Sequence, residues 1–485
     1  MLGLESTDYV FELMDSLTEA GYPTYIVGGA VRDMLLERPI KDLDVATAAT
    51  PEELQEHIEN NLQNFTYITG GEADKSISNL VSLVNFPNHK KGQPHDIEVA
   101  TFRIDAGYEK DENGIPDRTR PLLKATKTLE EDVKRRDFTI NAMAMDSSGN
   151  IIDLVNGQQD LENGVIRTVG KPSSRFAEDP VRMIRAVRFS TRYKFRMDSA
   201  TRKAITDHLD WLDRISPERM RSELGQVLMN THGFEELYDL GILPHIMIEL
   251  EGIKTLRHNP KYHPEGTVYD HYVAMFNEYA GANRGLYEVP VNTQGYGKED
   301  LLAWALLFHD IGKPMSAESS PKGDWFTFYE HELLGSTIFY DNYGSKAKDS
   351  PIHFSKNETM AITYTTKSHM AMFWDAKKFG KVTKLVADDN FELLTAVAYF
   401  DANHRPKGKY WDDRMEFLKG IRNEVEARAK AEPYPKGFGK MVADGLNLQG
   451  PEIGEAVNRI KDLVLSGQMP SYEAALQYEI DKMKG

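Results

Sequence analysis

Two carboxylates one residue apart, Asp42 and Asp44, stand a short distance after the glycine turn Gly28-Gly29-Ala30-Val31-Arg32-Asp33. Successive side chains of a strand point to opposite faces, so Asp42 and Asp44 would project from one face and could share divalent ions there. Two metal ions clamping the attacking and leaving oxygens are a standard physical solution to phosphoryl displacement. Gly28 and Gly29, lacking Cβ atoms, let backbone N–H groups approach a triphosphate, and Arg32 adds charge beside them. The chemistry expected of this pattern is nucleotidyl transfer.

Three further segments add groups of the same kind. His95–Arg103 alternates acid and apolar residues, which predicts a strand bringing Asp96 and Glu98 to one face; of the two we take Glu98 as the third carboxylate. Arg135-Arg136-Asp137-Phe138-Thr139-Ile140-Asn141 concentrates guanidiniums, a carboxylate and an amide, and Arg136, Asp137 and Asn141 could together hold a ribose and its phosphates. Phe176–Phe189 reads as one helix opened by Glu178, Asp179 and Pro180, with Arg182 and Arg185 following at intervals of three. Asp179 could accept from an exocyclic base amine and Arg182 donate to ring acceptors, a base-pairing edge made of protein. On spacing alone an exposed i,i+3 ion pair worth tenths of a kcal/mol is the simpler reading.

The order of these motifs decides between the readings. Gly-Gly-Ala-Val-Arg-Asp, Asp-x-Asp-x-Ala-Thr, Glu-Val-Ala-Thr-Phe-Arg, Arg-Arg-Asp-Phe-Thr-Ile-Asn-Ala and Glu-Asp-Pro-x-Arg-Met-x-Arg resemble the class II tRNA nucleotidyltransferases, the CCA-adding enzymes, and their relatives the bacterial poly(A) polymerases. The likeness runs from Tyr25 to Glu223 and takes in Pro217–Glu223, which is similar to the family's neck-stabilising motif. One departure is Glu37, where the family often has Gly. The resemblance implies a DNA-polymerase-β-like head with Asp42 and Asp44 as ligands of Mg²⁺. It also implies that Arg136 and Asp137 bind the nucleotide sugar and that Asp179 and Arg182 read CTP or ATP, with Arg185 counted among the nucleotide ligands. The segment Arg103 to Pro121, with Tyr108, Asp117, Arg118 and Arg120, resembles the flexible loop by which full CCA-adding enzymes switch from CTP to ATP.

A second constellation lies downstream: His271, His309-Asp310, His331, His369 and Asp401. Imidazole with carboxylate suits a divalent transition metal that activates water, and a His-Asp doublet inside an apolar helix (Leu301–Phe308 and onward) is costly unless paired or metal-bound. The series resembles an HD phosphohydrolase domain. That likeness implies His271, His309, Asp310 and Asp401 as the first metal set, with Ni²⁺, Co²⁺ or Mn²⁺ as the ion; His331 and His369 match less closely.

These side chains need several elements to position them. The chain of 485 residues is long enough for several cores. We expect an α+β multidomain protein: a mixed-sheet nucleotidyltransferase head (1–150), then an all-α neck (151–252), an HD-type helical domain (253–430, with a Gly/Asn-rich loop near 281–300) and a helical tail (431–485). The absence of cysteine excludes disulfides and thiolate sites; no apolar run suits a membrane span, and the N-terminus lacks a signal pattern, so a cytoplasmic protein is expected. Net charge is −17, which disfavours nonspecific binding of polyanions, yet between Asn163 and Arg221 fourteen Lys/Arg outnumber seven acids. A basic stretch in an acidic chain suits a structured RNA held along one side through its backbone.

The function expected is template-independent addition of CCA to tRNA from CTP and ATP. The alternatives are a poly(A) polymerase, an enzyme adding only CC or only A, and, from other classes, an HD phosphohydrolase or a noncatalytic RNA-binding protein. The intact head motifs argue against the last two.

Overall fold

The computed structural model describes residues 7–40, 43–68, 80–85, 96–110, 116–282, 298–373, 379–402 and 408–484. Contacts divide the chain into two compact units, Met1–Ile246 and Met247–Gly485.

In the first unit, helix α1 (Thr7–Glu19) precedes a seven-stranded mixed sheet. Its strands are β1 (Thr24–Val27), β2 (Asp44–Thr47), β3 (Thr66–Ile68), β4 (Val81–Asn85), β5 (Asp96–Thr101), β8 (Met143–Met145) and β9 (Ile151–Asp153), in the spatial order β3-β4-β5-β2-β1-β8-β9. Only β2 and β5 run parallel; every other neighbouring pair is antiparallel. Strand β9 carries the sheet three residues past the head boundary expected at 150.

Alternation along β5 sets its chemistry apart from the core: Ile97 and Val99 are buried while Glu98 is exposed, as period two requires. In β2, by contrast, the first residue, Asp44, is exposed and Val45, Ala46 and Thr47 are all buried. Val27, Ala46, Phe102 and Ala144 form a hydrophobic cluster within this sheet, joined by Tyr25 and Ile152. Helix α2 (Gly29–Leu35) follows β1 directly, and α3 (Pro51–Asn61) opens with a full capping box between Thr50 and Glu53.

Strands β6 (Arg103–Lys110) and β7 (Pro116–Ala125) pair as a separate antiparallel ribbon. The segment expected to be a flexible loop is thus mostly β-ribbon, because Arg103 continues from β5 after a single break at Phe102 and the return strand registers against it. Residues 111–115 lie outside the described residues.

After α4 (Leu129–Lys134) and α5 (Gly157–Glu162) the chain becomes mainly helical, with α6 (Pro172–Glu178), α7 (Val181–Tyr193), α8 (Ser199–Asp207) and α9 (Pro217–Leu228). The neck expected to be all-α also holds a short parallel strand pair, Val165–Ile166 with Arg196–Met197. The single helix expected over Phe176–Phe189 is in fact two. Asp179 is extended (φ −144, ψ 99), and Pro180 begins the next helix. A residue before proline is pushed out of the α region by the ring, so the break falls where Asp179-Pro180 places it. Helix α7 then buries Met183, Ile184, Ala186, Val187 and Phe189.

The second unit is mainly helical, with one short hairpin, Ala317–Ser319 paired with Phe326–Phe328. Trp304, Phe308, Phe339 and Phe354 pack in its interior as a chain of ring contacts. At its C-terminal end, helices Phe438–Leu446, Pro451–Leu465 and Tyr472–Lys484 enclose their own core, including Phe438, Ile460 and Tyr472. No helix among the described residues is long and apolar enough to cross a membrane.

Candidate active site and candidate metal centre

In the parallel pairing of β2 with β5, Asp44 is registered directly opposite Glu98. Directly paired residues share a face about 5 Å apart, so the two carboxylates stand side by side, Asp44 at the start of β2 and Glu98 two residues into β5. Asp42 lies outside the described residues. Next to this pair the backbone turns at Gly28 with φ 73, ψ −129, a region that excludes a side chain, and a Cβ there would stand 3.3 Å from Arg136 Nη1.

A cleft of about 590 Å³ joins these residues to the rest of the set; Gly28, Gly29, Arg32, Asp44, Glu98, Arg103, Arg136, Asp137, Asn141, Asp179, Arg182 and Arg185 all line it. Nine arginines and five carboxylates face it. Such a lining suits a polyphosphate whose charge exceeds that of one metal ion. For Tyr108, Arg118 and Arg120 only the backbone is described, in β6 and β7.

Many of the charged groups in the cleft are held by partners. Arg32 donates through Nε and Nη2 to both oxygens of Asp33, each at 2.9 Å, and through Nη1 to Asn141 Oδ1. Arg136 donates to Asp132 Oδ2 through Nη2 (2.8 Å), and Arg135 donates to Asp132 Oδ1. Asp132 is buried; burial would raise its pKa, but the two guanidiniums hold it below the ordinary carboxylate range. Beside them Arg103 is pulled down to about 10 by burial and by Arg135.

Asp137 accepts from Phe138 N and Asn141 Nδ2 at Oδ1, and from Arg185 Nη2 at Oδ2 (2.7 Å). Arg185 and Arg188 in turn share Glu223 at 3.3 and 3.2 Å, which ties α7 to α9. Burial opposes ionisation of Asp137, yet Arg185 outweighs it and the pKa is lowered. A depressed carboxylate stabilises the fold above its unfolded pKa of about 3.9 and loses that contribution as pH falls through the folded value. Arg185→Ala should therefore cost about 2–3 kcal/mol, the low end for a broken buried pair because Arg185 is 29% exposed. It should also move acid unfolding to higher pH, which thermal melts between pH 3 and 7 would register.

Asp179 and Arg182 do not form the i,i+3 pair expected on one helix. Asp179 Oδ2 accepts from Arg219 Nη2 of α9 at 2.7 Å. Arg182 donates to Glu178 Oε2 (3.0 Å), Arg175 O (3.2 Å) and Arg135 O (2.8 Å). Both still line the cleft, now as separately anchored groups. Sequence reading missed Asp132 as the support of Arg135 and Arg136, Arg219 as that of Asp179, and Glu223 as that of Arg185 and Arg188. The spacing of Asp132 to Arg135 and Arg136 (i+3, i+4) was a usable signal for the first; the other two join distant helices.

The second constellation assembles in the second unit. The apolar helix Lys298–Phe308 stops just before His309, so the doublet sits in the turn after it rather than inside it. His271 lies on helix Val268–Gly281, Asp401 ends helix Phe391–Asp401, His331 opens helix His331–Asn342, and His369 follows helix Lys356–Ser368. A Cβ on Gly312 would come within 2.2 Å of His331 O, so glycine there admits the close approach of that helix.

The separations fit a shared cation. Four ligand atoms about 2.0–2.1 Å from one ion stand roughly 3.3–3.5 Å apart in a tetrahedron. His309 Nε2 is 3.2 Å from Asp310 Oδ2, His271 Nε2 is 3.3 Å from Asp401 Oδ1, and the cross distances are 3.7 and 3.8 Å. A second group faces the other oxygen of Asp310: His331 Nε2 at 3.2 Å and His369 Nε2 at 3.7 Å, the two nitrogens 3.2 Å apart. Nδ1–H of His309, His331 and His369 donates to the carbonyl three residues earlier at 2.7 Å, leaving each Nε2 lone pair for a metal. Burial lowers the affinity of His309 for a proton, but Asp310 and Asp401 lift its pKa to about 10, whereas burial and the neighbouring imidazoles push His369 down to about 3. The site concentrates negative potential where a cation would sit. His331 and His369 therefore belong with the set as closely as the other four.

Comparison with known proteins bears on the first unit most directly. Residues 24–167 match the Poly A polymerase head domain, and 194–253 match a Probable RNA and SrmB- binding site of polymerase A. The curated relatives that match this chain are CCA-adding enzymes. That of Lactobacillus helveticus (strain DPC 4571) is 39% identical over 227 residues, covering 45% of this chain and 49% of that protein. That of Lactobacillus johnsonii is 37% identical over 257 residues, covering 52% and 58%. The chain thus spans about half the length of the curated relatives it matches. Among solved structures, the Bacillus stearothermophilus CCA-adding enzyme in complex with CTP has a TM-score of 0.60 at 23% identity, covering 99% of both chains. The Thermotoga maritima CCA-adding enzyme complexed with tRNA has a TM-score of 0.53 at 18% identity, covering 99% and 97%. In fold, the chain is similar to these structures over nearly its whole length.

Proposed function

We propose that this chain adds cytidine, cytidine and adenosine to the 3′ end of tRNA, using CTP and ATP without a nucleic-acid template, in the cytoplasm. The observation that carries the reading is the single cleft in which the Asp44–Glu98 pair meets the sugar-binding and base-reading candidates. Its support from relatives is the match of residues 24–167 to a Poly A polymerase head domain and the 39% identity, over 227 residues, to a CCA-adding enzyme. With it goes the four-part division at about 150, 252 and 430.

Asp44, with Asp42 and Glu98, would hold Mg²⁺, an ion suited to an all-oxygen site. When bound, the ions neutralise charge on the reacting phosphate and make the RNA hydroxyl a better nucleophile. The remaining work belongs to the chain. Arg136 and Asn141 stand where a ribose and phosphates would enter, and Asp137, clamped by Arg185, keeps that wall in place. Cytosine and adenine both carry an exocyclic amine beside a ring acceptor, the pattern that a fixed carboxylate and a fixed guanidinium complement. Arg219 fixes the Asp179 carboxylate, and the carbonyls of Arg135 and Arg175 fix Arg182.

Asp179→Ala and Arg182→Ala should each lower the preference for CTP over UTP by about 1–3 kcal/mol, or roughly 5- to 150-fold, with metal binding unaffected. Single-nucleotide incorporation kinetics with each NTP measures this; unchanged preference in both variants would remove base reading from these residues.

A second reading applies to the second unit, and the convergence of six His/Asp side chains on two adjoining metal geometries favours it. We propose a metal-dependent phosphohydrolase in which water breaks a P–O3′ bond and leaves a free 3′-hydroxyl, with Ni²⁺, Co²⁺ or Mn²⁺ held by imidazole and carboxylate. The phosphate stays on O2′ when the substrate is a 2′,3′-cyclic phosphate and departs as inorganic phosphate when it is a terminal 3′-phosphate.

A further inference from the structure

Three of the four histidines in the two metal geometries orient their rings on main-chain carbonyls; His271 does not. Its Nδ1–H donates to Glu265 Oε1 at 2.8 Å, and the same oxygen accepts from His263 Nδ1, also at 2.8 Å. Glu265 is nearly buried, its side chain 8% exposed, and His271 is fully buried. Neither His263 nor Glu265 belongs to the ligand set described above.

A carboxylate buried this far costs several kcal/mol in desolvation unless donors meet it. If orientation of the ring were all that was required, a peptide carbonyl would serve, as it does for the other three. A carboxylate adds charge, which raises the basicity of the imidazole behind it and strengthens the bond its Nε2 can make. The need for that charge is visible on the other ligand. Lys313 Nζ lies 2.5 Å from Asp310 Oδ2, the oxygen turned toward His271 and His309, and draws negative charge from the first group.

We propose that Glu265 is the positioning residue of the first metal group: it fixes the His271 tautomer with Nδ1 protonated and offsets the charge that Lys313 removes. The proposal rests on the metal reading of this cluster, and the test separates the two. Ni²⁺ binding is titrated by calorimetry with the full chain, its His309→Ala variant, Glu265→Ala and the isosteric Glu265→Gln. In parallel, ¹⁵N imidazole resonances report the His271 tautomer in the metal-free proteins, and circular dichroism reports folding.

The expected result is a site lost in His309→Ala, weakened about 10- to 100-fold in Glu265→Ala and less in Glu265→Gln, whose amide oxygen can still accept. The His271 resonances should move toward the Nε2-protonated form in Glu265→Ala. Ni²⁺ binding by the unmodified chain that His309→Ala leaves intact, or no binding at all, would overturn the metal reading. Unchanged affinity together with an unchanged His271 tautomer in the folded Glu265 variants would overturn the role of Glu265 while leaving the metal reading standing.

Discussion

Replacing Asp44 with alanine is expected to abolish transfer of CMP and AMP alike. Metal neutralisation of the reacting phosphate supplies several kcal/mol, so its loss should slow both reactions by about 10³-fold or more. The fold should survive. Asp44 is the exposed first residue of β2, and the register of that strand is kept by Val45, Ala46 and Thr47 against Val99, Ala100 and Thr101. Affinity for tRNA, measured by filter binding, should stay near normal, because the basic residues between Asn163 and Arg221 are untouched. Asp42→Ala should behave in the same way, and Glu98→Ala should fall in the same direction because it stands opposite Asp44. Near-normal turnover of Asp44→Ala with Mg²⁺ would mean that the reacting phosphate lies elsewhere.

The second large effect is expected at Asp310. Its two oxygens face different groups, Oδ2 toward His271 and His309 and Oδ1 toward His331 and His369. Asp310→Ala should therefore remove Ni²⁺ or Mn²⁺ from both geometries and end hydrolysis of a 2′,3′-cyclic nucleotide to its monophosphate, whereas His331→Ala should spare the first. Nucleotidyl transfer to a tRNA with a free 3′-hydroxyl should be retained, since no ligand of the head lies in this unit. Calorimetric stoichiometry in the two variants distinguishes a shared ligand from two independent ones. Equal losses in Asp310→Ala and His331→Ala would argue against the shared role.

Much of the head was legible because strand parity is a strict code. Alternation in Asp96–Thr101 alone sends Glu98 outward, and the preference for it over Asp96 agrees with its register opposite Asp44. The HD-type cluster was legible as a list of residue types, although the chain gave no distances, and the kinship of His331 and His369 with the rest emerges only when helix ends separated by about forty residues meet at Asp310. The break at Asp179-Pro180 was available in principle: proline restricts the residue before it, and helical periodicity on both sides concealed the interruption. The partners of Arg219 and Glu223 were beyond reach, because each acts through a residue distant in the chain, whereas Lys313 lies only three residues after Asp310 and its spacing was a usable signal. Glu265 was nearer, since His258, His263, Glu265 and His271 are close in sequence, but a His-rich stretch gives no indication of which ring a carboxylate will orient.

The central claim is tested by incubating the protein with a tRNA transcript that ends at its discriminator base, in Mg²⁺, with CTP alone, ATP alone and both. Single-nucleotide resolution on a sequencing gel should show an extension of two residues with CTP, no extended ladder with ATP alone, and three residues ending in A with both. A long tail from ATP alone, or no extension under any of the three conditions, would contradict CCA addition.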